Sequence, residues 1–150
     1  MNIRQLVEGE TPPFNLLLLA DPSRELVEEY LENGECRVAE VEGEVVGVYV
    51  LVELNVETME IMNVAVDERM QGRGIGKKLI RDAIQTVKGL GYKSIEIGTG
   101  NSSVGQLALY KKCGFGVTGL IKDFFVHNYE EAIFENGIQC RDMIRLSMEV

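Results

Sequence analysis

The longest apolar run in the chain, Val45–Val52 (VVGVYVLV), is hydrophobic at both alternating sets of positions. That pattern predicts a strand covered on both faces, hence one inside a sheet. Glu42-Gly43 separates Arg37–Val41 from Val45–Leu54 and predicts a hairpin. Glu60–Val66 (EIMNVAV) predicts a further buried strand, although the alternation from Glu60 through Met62 leaves the facing of Glu60 open. Upstream, Ile3–Val7 alternates weakly as a first strand. Thr11-Pro12-Pro13 predicts a turn before a short apolar helix at Asn15–Ala20. Asp21-Pro22 then predicts an N-cap followed by proline at the first helical position. Leu26, Val27, Tyr30 and Leu31 give the helix that follows one apolar face, and Gly34 is placed to end it.

Downstream the period changes. Ile75, Leu79, Ile80, Ala83, Ile84 and Val87 recur at helical spacing and predict a helix over Gly74–Gly89, followed by a strand at Lys93–Gly98. Ser103-x-x-Gln106 has the form of a capping box ahead of a helix at Leu107–Cys113, with Gly114 as its C-terminal glycine. Two last strands are expected near Gly116–Val126 and Ile138–Glu149, joined by a polar loop. The order is one strand, two helices, three strands, helix, strand, helix, two strands. This is a mixed α/β sheet without the regular βαβαβ repeat of a doubly wound dinucleotide fold.

With no repeat and no linker, 150 residues predict one domain spanning 1–150. The N-terminus lacks a basic region followed by an apolar run, so no signal peptide is expected, and Leu16–Ala20 is far too short to span a bilayer. Cys36, Cys113 and Cys140 are odd in number and widely spaced, which predicts reduced thiols, a cytoplasmic setting and no metal site. A net charge of −9 argues against nucleic acid and anionic membrane surfaces and is compatible with cationic partners, amines included.

One segment runs against that acidity. The strand ending Val64-Ala65-Val66 leads into Asp67–Lys77, where Gly72, Gly74 and Gly76 alternate just before a helix, and Arg69, Arg73, Lys77 and Lys78 cluster around them. Glycine lacks Cβ, so backbone N–H groups can converge on an anion, and the helix N-terminus adds unpaired donors and partial positive charge. A tight turn with solvated charges is the plainer alternative. The Walker A spacing is absent because no GK[ST] follows, and Gly-x-Gly-x-Gly fits the dinucleotide fingerprint poorly.

The spacing that does fit is Gln-x-x-Gly-x-Gly at 71–76, which with its preceding strand resembles motif A of the GNAT N-acetyltransferase superfamily. Leu109-Tyr110-Lys111-Lys112-Cys113-Gly114-Phe115 resembles that family's Leu-Tyr-x-x-x-Gly-Phe. The resemblance implies a mixed, mostly antiparallel sheet flanked by about four helices, with acetyl-CoA as acyl donor. It implies that the backbone of Val64, Ala65 and Val66 pairs with the pantetheine arm. The N–H groups of the loop Gln71, Gly72, Arg73, Gly74, Ile75, Gly76 and Lys77 would then hold the pyrophosphate. Tyr110 would protonate the departing thiolate, and a backbone N–H near Val64 would hold the oxyanion. Glu60 is the candidate general base, with a solvated strand-end glutamate as the alternative. The family often has asparagine seven residues before the tyrosine; here Ser103 stands there and Asn101 two residues earlier, and either could contact pantetheine or cap the helix.

The function so implied is acetyl transfer to a primary amine of a small molecule or peptide, by direct attack in a ternary complex. The alternative is a non-catalytic acyl-CoA-binding regulatory module. The loop Phe125–Gly137 (FVHNYEEAIFENG), with its aromatics and carboxylates, suits a cationic acceptor such as an aminoglycoside, polyamine or peptide amine. It could equally contribute to a homodimer interface. His127 falls in that loop and is expected at its surface or at the acceptor rim.

Overall fold

The computed structural model describes residues 1–150. The elements run β1 (Asn2–Gln5), α1 (Phe14–Ala20), α2 (Arg24–Asn33), β2 (Glu35–Val41), β3 (Glu44–Asn55), β4 (Thr58–Val66), a 3₁₀ turn at Glu68–Met70, and α3 (Ile75–Gly89). They continue with β5 (Ser94–Gly100), α4 (Val104–Lys112), β6 (Gly116–Ile121), α5 (Phe124–Asn128), β7 (Ile133–Glu135), β8 (Ile138–Cys140) and β9 (Met143–Glu149). Seven strands form one sheet in the order β1-β2-β3-β4-β5-β9-β6, and β7 pairs with β8 in a separate hairpin. Every neighbouring pair in the large sheet is antiparallel except β4 and β5, which are joined by a crossover through α3. The mixed, mostly antiparallel sheet is as expected, with five helices rather than four.

β3 lies inside the sheet, and Val46 through Leu51 are buried, as an apolar run on both faces requires. On one face Tyr49, Leu51, Met59 and Ile61 pack under Leu79, Ile80, Ala83 and Val87 of α3. On the other, Val48, Val50 and Ala65 pack under Leu16 and Leu17 of α1 and Val27 of α2. Gly47 interrupts the run for a reason: a Cβ there would sit 2.9 Å from Leu79 Cδ1, so the glycine lets α3 settle close on β3.

The point of the fold that matters for a site is in β4. Val50 pairs with Asn63 but Leu51 pairs with Ile61, so Met62 bulges out of the ladder. The bulge reverses the alternation: Met59 and Ile61 share a face with Val64 and Val66, while Glu60, Asn63 and Ala65 face α1 and α2. Parallel pairing to β5 covers only Thr58–Ile61 against Ser94–Ile97. Beyond it the two strands part, and Met62–Val66 keeps a strand partner on the β3 side alone.

Four local expectations are corrected. The N-cap of α2 is Ser23, whose hydroxyl accepts from Leu26 N–H, and not Asp21. Asp21 instead ends α1, and its carboxylate accepts from Ser23 N–H. Ser103 precedes α4 without capping it, because its hydroxyl donates to Glu135 at 2.7 Å. The strand expected over Gly116–Val126 ends at Ile121, where Asp123, with φ of 56°, turns the chain into α5. The strand expected over Ile138–Glu149 is two, β8 and β9, divided at Arg141-Asp142, whose N–H groups both donate to Asn101 Oδ1. No helix is long and apolar enough to cross a membrane.

Candidate active site

Where β4 and β5 part, a cavity of about 730 Å³ opens between the free edge of β4, the glycine loop and α4. Val64, Ala65, Val66, Gln71, Gly72, Gly74, Ile75, Gly76 and Lys77 all line it. Gly72 and Gly74 have φ of 79° and 80°, the left-handed region that only glycine enters cheaply, and a Cβ on either would point into open space. Gly74 is the N-cap of α3, and the first helical bond is Lys78 N–H to its carbonyl. The N–H groups of Ile75, Gly76 and Lys77 therefore have no helical partner, and no side chain caps them. With no acidic residue in that first turn, the loop is a set of backbone donors with a positive dipole end, which fits a pyrophosphate. The unpaired edge of β4 fits an amide-bearing arm laid beside it, as β-augmentation does with a peptide.

The basic cluster is smaller than the sequence suggests. Arg69 is bound to Asp67 and Glu44 at 3.0 and 2.6 Å, so its charge is neutralised. Arg73 lies on the exposed outside of the loop and does not line the cavity. Lys77 and Lys112 do line it. Gln71 turns inward to brace the loop, donating to the Val66 carbonyl. Lys112 was not anticipated, although Gly105, Gln106, Leu109, Tyr110 and Lys112 trace one side of a helix in the sequence.

A second cavity of about 500 Å³ lies across β4, walled by α1, the start of α2, α5 and the β7–β8 hairpin. Leu19, Ala20, Val64, Gln106 and Tyr110 line both spaces, so the cavities meet at Tyr110 and Val64. Tyr110 is 4% exposed, with its ring tilted at 60° to Phe115. Burial pushes its hydroxyl well above the ordinary tyrosine value, so it stays protonated at any physiological pH.

Glu60 enters the second cavity because of the Met62 bulge. Its Oε2 accepts from Arg145 at 2.7 Å, and Arg145 also reaches Glu96 at 3.0 Å. Burial alone would lower the Arg145 pKa, but its bonds to Glu60 and then Glu96 outweigh that and hold the guanidinium above its ordinary value. Arg145 leaves Oε1 of Glu60 without a hydrogen-bond partner. Ser103 faces this same cavity and not the first one. Asn101 lines neither; its side chain ties β8 and β9 together through Gln139, Arg141 and Asp142. His127 is exposed and lines neither cavity, although the following Asn128 and Tyr129 line the second.

Several residues of the second cavity carry no motif. Asn63 Nδ2 donates to the Leu17 carbonyl at 3.0 Å and to Tyr30 Oη at 2.8 Å. Tyr30 and Tyr129 both donate to Asp21, at 3.2 and 2.9 Å. This chain joins β4, α2, the end of α1 and the segment after α5. Asn63 was legible only as a polar residue inside an apolar strand.

All five tyrosines are held above their ordinary value, Tyr30, Tyr49, Tyr110 and Tyr129 chiefly by burial and Tyr92 chiefly by its bond to Glu53. An acid whose folded pKa is raised contributes stability that is complete below its unfolded value, about pH 10, and lost as pH climbs beyond it. The four phenols raised chiefly by burial should therefore stay protonated past about pH 10 and ionise only together with loss of far-ultraviolet dichroism. Phenolate from more than the one remaining tyrosine near pH 10, in a protein with native dichroism, would contradict this burial.

Comparison with known proteins follows the same geometry. Residues 3–115 match the acetyltransferase (GNAT) family model. The uncharacterized N-acetyltransferase YvbK of Bacillus subtilis (strain 168) is 56% identical over 137 residues, covering 91% of this chain and 88% of that protein. The crystal structure of a GNAT family acetyltransferase from Elizabethkingia anophelis with acetyl-CoA bound superposes with a TM-score of 0.98 at 50% identity, covering 99% of this chain and 97% of that one. An IAA acetyltransferase from Bacillus cereus ATCC 14579 superposes with a TM-score of 0.96 at 55% identity, covering 99% of each chain.

Proposed function

The chain belongs to the GNAT acetyltransferase family, and from that premise we propose that it moves the acetyl group of acetyl-CoA onto a primary amine by direct attack in a ternary complex. The observation that carries this reading is the meeting of two cavities at Tyr110 and Val64, one shaped for the donor and one open to an acceptor. Acetyl-CoA bound to the relative from Elizabethkingia anophelis supports the same donor here.

Gly72–Lys77 holds the pyrophosphate on backbone N–H groups, with Lys77 and Lys112 adding charge. The free edge of Val64–Val66 takes the pantetheine amides and fixes the thioester at the junction. In the transfer itself the amine nitrogen forms the new C–N bond at the thioester carbonyl, and the tetrahedral oxyanion so made collapses with cleavage of the C–S bond. The amine loses a proton, for which the free Oε1 of Glu60 is the acceptor on the acceptor side. Tyr110 directs its O–H at the departing sulfur, and a β4 backbone N–H near Val64 steadies the oxyanion.

The test is thiol release from acetyl-CoA over a broad panel of primary amines, beside calorimetry with CoA. Turnover of any amine class is expected. Tight CoA binding with no turnover on any amine would instead favour a regulatory acyl-CoA sensor.

A further inference from the structure

The chain has ten aromatic residues, five Phe and five Tyr. Six of them, Tyr30, Tyr110, Phe124, Phe125, Tyr129 and Phe134, line the acceptor cavity. Phe125 and Tyr129 stack 5.7 Å apart at 28°, and Phe124 stands edge-on to Phe125 at 5.1 Å and 79°. Faces and edges so arranged accept a flat apolar body, because offset stacking and edge contacts both favour an added ring. Phe134 remains 64% exposed at the rim, with apolar surface left for an occupant to cover.

The inner end has the opposite character. Asn63 is 4% exposed, and the Leu17 carbonyl it meets can only accept, so Nδ2 must face that carbonyl. Oδ1 is then buried without any donor. That oxygen is closed to solvent, so the cavity does not offer it to an occupant. Glu60, on the same face of β4, offers its free Oε1 nearby. The outer carboxylates already receive hydroxyl donors: Asp21 from Tyr30 and Tyr129, and Glu135 from Ser103. The cavity therefore presents one uncommitted carboxylate oxygen, on Glu60, and an aromatic box around it.

Building on the acetyltransferase reading above, we infer that the acceptor is an aryl-alkyl primary amine. Its nitrogen donates to Glu60 Oε1, and its ring lies among Phe124, Phe125, Tyr129 and Phe134. Phe134 reads the ring.

The experiment compares phenethylamine, tyramine and tryptamine with putrescine, spermidine, methylamine and an alanyl peptide amide as acceptors, by thiol release from acetyl-CoA. At least one aryl-alkyl amine should exceed every other class by about tenfold in kcat/KM, the scale on which a filled apolar pocket discriminates. Phe134→Ala, a change at an exposed rim, should lower kcat/KM for that amine about fivefold or more with CoA affinity retained. A polyamine or peptide as best acceptor would overturn the inference while leaving the acetyltransferase reading intact, as would an aryl preference that survives Phe134→Ala. Silence of every amine, despite CoA binding, would remove the acetyltransferase reading itself and this inference with it.

Discussion

Replacing Gly74 with alanine is expected to weaken CoA binding by a factor on the order of 10–100. Gly74 has φ of 80° and serves as N-cap of α3. An alanine held there costs about 1–2 kcal/mol, so the loop relaxes toward negative φ instead. That relaxation turns the N–H groups of Ile75 and Gly76 away from their common focus. A single charge-assisted hydrogen bond to phosphate is worth about 1.5–3 kcal/mol, which gives the stated range. The thermal midpoint should fall only a few degrees. Gly89→Ala is the matched control: it lies at the far end of the same helix, without positive φ and with nothing within 4 Å of an added Cβ. Calorimetric titration with CoA decides it. Equal affinity in Gly74→Ala and Gly89→Ala would mean that the loop is not the phosphate cradle.

The glycine loop was readable in the sequence because its cause is local. Alternate glycines, a buried strand before them and an amphipathic helix after them specify a donor-rich loop without help from the rest of the chain. Leu109–Phe115 was readable for the same reason. The facing of Glu60 was not. It depends on Met62 being skipped by β3, and a bulge is a property of two strands counted against each other. Arg145, the partner that fixes Glu60, lies 85 residues away in sequence, and nothing in either segment announces the other. Ser103 has the spacing of a capping box, yet Glu135, 32 residues on, takes its hydroxyl. The hairpin β7–β8 and the short α5 hide in a polar loop whose alternation is too brief to register. These long-range features build the acceptor side, so the sequence speaks for the donor and stays silent on what receives the acetyl group.

Tyr110→Phe is the complementary prediction, aimed at chemistry rather than binding. The ring packs against Phe115 and fills space between α4 and the junction, and phenylalanine keeps that packing. The hydroxyl makes no hydrogen bond within the protein, so its removal leaves no buried partner unsatisfied. Stability should change by less than about 0.5 kcal/mol. Catalysis should change far more. A thiol ordinarily titrates near about 8.5, below the ordinary phenol value, and burial moves the Tyr110 hydroxyl further up. Complete transfer of its proton to the thiolate is therefore uphill, and Tyr110 acts chiefly as a hydrogen-bond donor to charge developing on sulfur. Such a donor falls at or below the lower end of general-acid effects, so kcat should drop roughly 10–100-fold with both KM values within about threefold. Because the hydroxyl stays protonated, the alkaline limb of the kcat profile should keep its position in the variant. A kcat equal to wild type would remove Tyr110 from the chemistry. A shifted alkaline limb would instead mean that the phenol ionises during turnover, against the burial that surrounds it.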